Sequence, residues 1–168
     1  TTEIVNYLRK ASIRLGFKDM RLSTRSRYGL KAIVDLAVYY GEGPVALPVL
    51  ASLQGISESY LEQLLRALKK VNVVETVRGV QGGYSLSRDP SQITVQEVLS
   101  VLEGSTAVVD CVDTESNGCK NACTCSARPL FLKLQTKIND VLSATSIQDL
   151  ADDYIQQKRR LLDAKGLS

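Results

Sequence analysis

The chain has 168 residues, no histidine, one methionine (Met20) and no cysteine outside residues 111–125. Without imidazole there is no Ser–His or Cys–His pair for nucleophilic catalysis. No paired carboxylates and no cofactor loop stand out either, so an enzyme is not expected. No run approaches the ~20 apolar residues of a membrane span, because Asp35 interrupts even the apolar stretch 30–40. Residues 1–19 mix charges throughout and lack the apolar centre of a signal peptide. These absences point to the cytosol. No internal repeat or low-complexity tract is present. The net charge is only +3, but residues 20–90 hold nine basic and six acidic side chains and residues 91–168 eight and ten. The N-terminal half is therefore the one suited to nucleic acid.

Residues 56–70, ISESYLEQLLRALKK, organise the rest. Leu61, Leu64, Leu65 and Leu68 recur at the i, i+3, i+4, i+7 spacing of a helix facing a core. The opposite face carries Ser57, Ser59, Glu62, Gln63, Arg66, Lys69 and Lys70, which can reach base edges and phosphates. An amphipathic helix with a basic end can equally be a plain solvated helix, so the neighbourhood decides. Residues 44–54 read as a short preceding helix with Pro48 near its start. Gly55 suits the tight turn and Ser57 an N-cap. Residues 71–77 are rich in β-branched side chains, Gly79, Gly82 and Gly83 punctuate, and residues 84–86 resume an extended pattern. The glycines lack the Gly-Lys-Ser/Thr ending of a phosphate-binding loop. Helix, turn, helix and hairpin together make the winged helix-turn-helix plan. Its second helix enters the major groove, and the hairpin, here Arg78 to Tyr84 with Gly82 and Gly83, touches the flanking backbone or minor groove.

On either side of this unit the periodicity predicts more helices. Residues 22–40 form a first helix capped by Ser23, with Tyr28, Ile33, Leu36, Ala37 and Tyr40 as core candidates. Its early cations Arg25, Arg27 and Lys31 are disfavoured by the helix dipole, which hints at an external phosphate. A capping box at Thr94 and Glu97 opens a helix through Leu102, ended by Gly104. Residues 129–142 carry an apolar stripe of Leu130, Leu134, Ile138 and Val141 or Leu142. Thr145 and Gln148 suggest another capping box, followed by helix through Tyr154 and, from residue 156, a polar stretch that is a fraying helix or a tail.

Residues 105–128 form a connection too long to be ordinary, and they hold all four cysteines in a Cys-x7-Cys-x3-Cys-x-Cys pattern: Cys111, Cys119, Cys123 and Cys125. Three chemistries suit such a cluster: a redox-sensing disulfide, a zinc site of unusual spacing, or an iron-sulfur centre, whose inorganic core tolerates an irregular loop. The residues alone do not choose.

SYLEQLL followed by VRGVQGGYSL, and preceded by MRLSTRSRYGLKAIVDLA, resembles the bacterial winged-helix regulators that include IscR, NsrR and CymR. The resemblance runs from Met20 to about Tyr154 and is nearest to the IscR-like iron-sulfur regulators. It implies a mainly α fold with a small β-hairpin wing. It implies base contacts from Ser59, Tyr60, Glu62 and Gln63, phosphate contacts from Arg25 and Arg27, and a minor-groove approach by Arg78. The matching long helix in the family crosses its twin, so a homodimer on an operator with two half-sites is implied. In IscR-like members three loop cysteines bind the cluster, and the third opens a Cys-x-x-His-x-Leu-Trp stretch whose histidine is the fourth ligand. Here that stretch is Cys125-Ser-Ala-Arg128-Pro-Leu-Phe131, which carries the ligand role to Cys111, Cys119 and Cys125. It also exposes a departure, because Arg128 has no lone pair to offer. The acidic residue that NsrR-like members recruit instead is matched by Arg27. Cys123 is the first candidate for the fourth ligand, followed by Asp110, Asp113, the partner subunit or an exogenous group. Both 2Fe-2S and 4Fe-4S centres stay open.

The chain is thus expected to comprise residues 1–19, read as an extension upstream of a natural start at Met20 (a basic DNA-gripping arm being the other reading), a DNA-binding domain 20–103, a cysteine loop 104–128 and a dimerisation and C-terminal helical region 129–168. The function expected is a cytoplasmic transcriptional regulator, a repressor, controlled by an iron-sulfur cluster. A zinc- or thiol-based sensor on the same fold and a non-DNA iron-sulfur carrier or electron-transfer module are the alternatives.

Overall fold

A computed structural model describes residues 22–79, 81–113 and 124–164, so the expected extension at residues 1–19 lies outside the described residues. Two compact units divide them: Leu22–Thr106 with residues 137–164, and residues 107–113 with 124–136. In the first unit, helix α1 (Thr24–Val38) is capped by Ser23, whose Oγ accepts the Ser26 N–H at 3.2 Å. It buries Ser26, Gly29, Ala32, Ile33, Leu36 and Ala37, a stripe of helical period. Tyr40, expected in the core, is 46% exposed. The helix stops at Val38 and the Tyr40 N–H turns back to Ala37 O, which carries its ring off the buried stripe.

Helix α2 (Leu47–Gln54) starts later than the expected residue 44 because Val45 is committed elsewhere. Val45 exchanges two 2.9 Å backbone hydrogen bonds with Tyr84, adding a bridge to the wing. Pro48 sits in the first turn, where its missing N–H costs nothing. Gly55, at φ 63°, ends the helix in a left-handed turn, with its own N–H on Ser52 O and that of Ile56 on Ala51 O, both 3.1 Å.

Helix α3 (Glu58–Lys70) follows at once, capped by Ser57 Oγ, which accepts the Tyr60 N–H at 3.3 Å. Leu61, Leu64, Leu65 and Leu68 are all buried, at the centre of a core shared with α1 and with Val98, Leu99 and Leu102. The wing is the antiparallel pair β1 (Val74–Val77) and β2 (Gly83–Leu86), in register Val74 to Leu86 and Val77 to Gly83. A Cβ on Gly83 would stand 2.3 Å from Val45 O, so only glycine lets the bridge form.

A short 3-10 turn (Pro90–Gln92) leads to α4 (Val95–Glu103). Thr94 Oγ1 accepts the Glu97 N–H at 3.2 Å, one half of the expected capping box. The Glu97 carboxylate is engaged instead by Arg88, at 2.5 and 2.6 Å. At the other end of α4, the Glu103 carboxylate accepts the Ser23 N–H at 2.6 Å, tying α4 to the start of α1. A Cβ on Gly29 would meet Leu102 Cδ1 at 2.4 Å, which measures how closely these two helices approach.

Helix α5 spans Arg128–Ala144 and α6 spans Ile147–Ala164. The cap between them is Ser146, not Thr145. Ser146 and Asp149 bond reciprocally, backbone N–H to carboxylate at 2.8 Å and Asp149 N–H to hydroxyl at 3.1 Å, while the Thr145 hydroxyl turns back to Val141 O. The Ser146 hydroxyl also donates to the Asp149 carboxylate at 2.7 Å, and this bond, with that from the Ser146 N–H, holds the Asp149 carboxyl below its ordinary range. Of the two readings of the polar stretch from residue 156, helix holds as far as Ala164, where α6 ends. The chain re-enters the core at Ile147, whose N–H donates to Ile93 O at 2.8 Å.

The second unit contains a 3-10 turn (Asp110–Val112) and the first half of α5. Val108 and Val112 are buried, and the Val108 N–H donates to Gln135 Oε1 at 2.8 Å.

Candidate nucleic-acid interface and cysteine segment

The exposed face of α3 presents Ser57, Ser59, Gln63, Arg66, Lys69 and Lys70, with Glu62 half-buried. Glu62 and Arg66 form an exposed i, i+4 ion pair at 2.9 Å. Such a pair is weak in water and leaves both groups free to exchange partners. Lys69 reaches across to Thr76 Oγ1 on β1 at 2.8 Å. Tyr60, expected at base edges, has its ring edge-on to Tyr28, centroids 6.4 Å apart, and packs against the core. On the wing, Arg78 is exposed, and Tyr84 lies close enough for Glu62 to act on its phenol. Burial, reinforced by that carboxylate and opposed by Arg66, pushes the Tyr84 pKa up, so the hydroxyl stays a neutral donor. Gly82 and Gly83 have a structural reason to be glycine, since a Cβ on Gly82 would lie 2.5 Å from Val77 O. Arg25 and Arg27 are exposed in the first turn of α1, which contains no acid. α3, the wing and α1 each therefore expose cations.

In the cysteine segment, Cys111 lies in the 3-10 turn and Cys125 just before α5; both are half-buried free thiols. Arg128 connects them. Its Nη1 donates to Cys111 O at 3.2 Å and its backbone N–H to Cys125 O at 3.3 Å. The residue at the family's histidine position thus bonds the main chain of two cysteines, with its guanidinium on the Cys111 carbonyl and its backbone N–H on that of Cys125. Cys119 and Cys123 lie outside the described residues, as does the Asp110 side chain, while Asp113 is half-buried. Among the described residues no three Cys, Asp or Glu side chains gather within reach of one metal ion.

The model of the Rrf2 family, described as an iron-dependent transcriptional regulator, matches residues 22–153. The chain belongs to the Rrf2 family. This Rrf2 protein is 36% identical over 132 residues to the HTH-type transcriptional regulator CymR of Bacillus subtilis, covering 79% of the chain and 90% of the relative. It is 37% identical over 147 residues to HTH-type transcriptional regulator IscR of Photorhabdus laumondii, covering 88% and 85%. The solved structure of B. subtilis CymR, titled the global cysteine regulator, matches with a TM-score of 0.67 at 35% identity over 79% of the chain and 96% of CymR. That of T. potens IscR matches at 0.65 and 37% identity over 80% and 88%. The Rrf2 protein is therefore a transcriptional regulator with the winged-helix fold of these relatives, and not an enzyme. No helix among its described residues is long and apolar enough to cross a membrane.

Proposed function

We propose that this Rrf2 regulator binds DNA as a homodimer on an operator with two half-sites, as a repressor, and that an iron-sulfur cluster carried by the segment 104–128 sets its affinity. In this reading residues 20–103 are the DNA-binding domain and residues 129–168 supply dimerisation and the C-terminal helix. Ser57, Ser59, Tyr60, Glu62 and Gln63 serve the major groove. Arg25, Arg27, Arg66 and Lys69 serve phosphates, and Arg78, Gly82, Gly83 and Tyr84 the flanking groove. The dimer is supported by α5, which has no buried residue and exposes Leu130, Leu134 and Val141 at 58, 38 and 64%. These residues and the half-buried Ile138 share one helical stripe, the kind of surface a second copy covers.

The observation that carries the cluster is the Arg128 bridge, which gathers Cys111 and Cys125 without using either thiol. Cys111, Cys119 and Cys125 would hold the group, with Cys123 the first candidate for the fourth position. When bound, an iron-sulfur cluster supplies a redox-active centre open to oxygen, nitric oxide or iron supply. Folding of the loop around its ligands would bias the adjoining α5, and through the dimer the separation of the two recognition helices.

The test is the visible absorption spectrum of protein purified without oxygen, with iron, sulfide and zinc counts, followed by binding of loaded and apo protein to duplexes selected from a random library. Iron, sulfide and visible bands with different affinities for the two forms are expected. Identical affinities would sink the cluster control. A second reading, a thiol- or zinc-based sensor, is favoured by Cys111 and Cys125 being half-exposed free thiols and by the similarity to a cysteine regulator; colourless protein with zinc, or with no metal, would select it.

A further inference from the structure

Arg88 is a cation on the exit of the wing, where a phosphate contact would be the simple reading. Its terminal nitrogens are directed inward instead. Nη1 donates to Asn72 O at 2.8 Å, and Nη2 reaches both carboxylate oxygens of Glu97 at 2.5 and 2.6 Å. The pair is 30 and 33% exposed, far better shielded than Arg66 and Glu62 at 68 and 43%, so solvent screens it less.

Asn72 is the turn between recognition helix and wing. Among the described residues it is the one non-glycine with positive φ, at 62°. It closes α3 as a Schellman turn, its N–H on Lys69 O and that of Val73 on Leu68 O, both 3.1 Å. A left-handed backbone is strained for a residue with a Cβ, though asparagine bears it better than most. Its carbonyl is held by two donors, the Ser87 hydroxyl and Arg88. The Ser87 N–H adds a bond to Val73 O at 3.1 Å. Arg88 therefore joins the entry of the wing, the exit of the wing and the first turn of α4.

We infer that Arg88 is a positioning residue for DNA recognition: with Glu97 it fixes the angle between α3 and the wing, and it is not a phosphate contact. The inference rests on the DNA-binding reading above. Because helix and wing enter adjacent grooves, a pivot at Asn72 would separate contacts that must form together.

The experiment measures binding of a library-selected duplex as a function of salt for wild type, Arg88→Gln, Glu97→Gln, the double variant and Arg25→Ala, below the unfolding transition of each. Neutralising a phosphate contact lowers the slope of log K against log salt by about 0.9, and Arg25→Ala is expected to do so. Arg88→Gln is expected to weaken binding about tenfold with the slope unchanged and with footprint protection lost on the wing side. The double variant should bind no worse than either single one, because both remove one bracket. A slope reduced as in Arg25→Ala would overturn the inference in favour of a phosphate contact. Unchanged affinity with only a lower Tm would overturn it in favour of a purely structural pair. If Arg88→Gln fails to fold, Glu97→Gln, which keeps the arginine and loses the ion pair, takes its place: weaker binding with wing-side protection lost supports the inference, and unchanged or tighter binding overturns it. Absence of salt-dependent duplex binding in wild type would remove the DNA-binding reading itself, and the inference with it.

Discussion

Among the described residues, twenty buried hydrophobics form one cluster spanning α1 to α4 and the start of α6, whereas in residues 107–113 and 124–136 the buried hydrophobics are Val108 and Val112. The first region is positioned by area removed from water, which is non-directional and large. In the second, described bonds from Arg128 and Gln135 set positions, and each is worth only about 0.5–1.5 kcal/mol net. A recognition surface has to keep its shape from one operator to the next, and packed leucines provide that. If the second region answers a metal, as proposed, it must be able to change, and positions set by polar bonds allow it.

Substitutions can break this contrast. The largest effect expected is on the metal: Cys111→Ser should abolish iron retention, read by visible absorption and iron count, while leaving the urea midpoint of the apo protein where it was. A midpoint that moves with the thiol would show that the two regions share one stability. Leu65→Ala should do the reverse, lowering stability by about 2–5 kcal/mol in a urea titration while the folded fraction keeps its iron. Gly83→Ala, whose methyl would collide with Val45 O, should cost about 1–3 kcal/mol and weaken DNA binding through the wing; an unchanged midpoint would mean the Val45 bridge is dispensable. The smallest effect is a pH dependence. Burial raises the Asp35 pKa above its ordinary 3.8, only partly offset by the Gln54 hydrogen bond and by Lys31 and Lys158. The folded state thus holds this proton more tightly than the unfolded chain. That contribution is complete below pH 3.8 and declines as pH rises towards the folded value. Asp35→Asn should flatten the decline, measured as thermal midpoints between about pH 3.5 and 6.

Much of the first region was legible because its signals are local. The stripe from Leu61 to Leu68 and the caps Ser23, Ser57 and Thr94 each depend on residues within one or two turns. Where two local readings compete, sequence is blind: Thr145 with Gln148 and Ser146 with Asp149 have identical spacing, and only the Thr145 hydroxyl bonding to Val141 O separates them. Tyr40 was misjudged because the helical period was carried past the helix end. Long-range effects were missed altogether. Nothing in the periodicity tells that Val45 belongs to the wing, that Glu97 answers Arg88 rather than its own cap, or that Asn72 takes a left-handed turn. In the cysteine segment, residue type narrows the chemistry to a disulfide, zinc or an iron-sulfur centre without choosing among them, and Arg128, which stands where the family has a ligand, bonds the main chain of both described cysteines.

The close approach of Gly29 to Leu102 has a consequence for how such a chain can drift. A methyl at position 29 would meet the tip of Leu102 at 2.4 Å, so alanine there is accommodated only if that buried leucine shifts. Alanine at 29 should be poorly tolerated alone and recovered by Leu102→Val, which withdraws the offending methyl. The pair would then be inherited as a unit, a small residue on one helix exchanged for a shorter one on the other, with the cap from Glu103 to Ser23 preserved throughout.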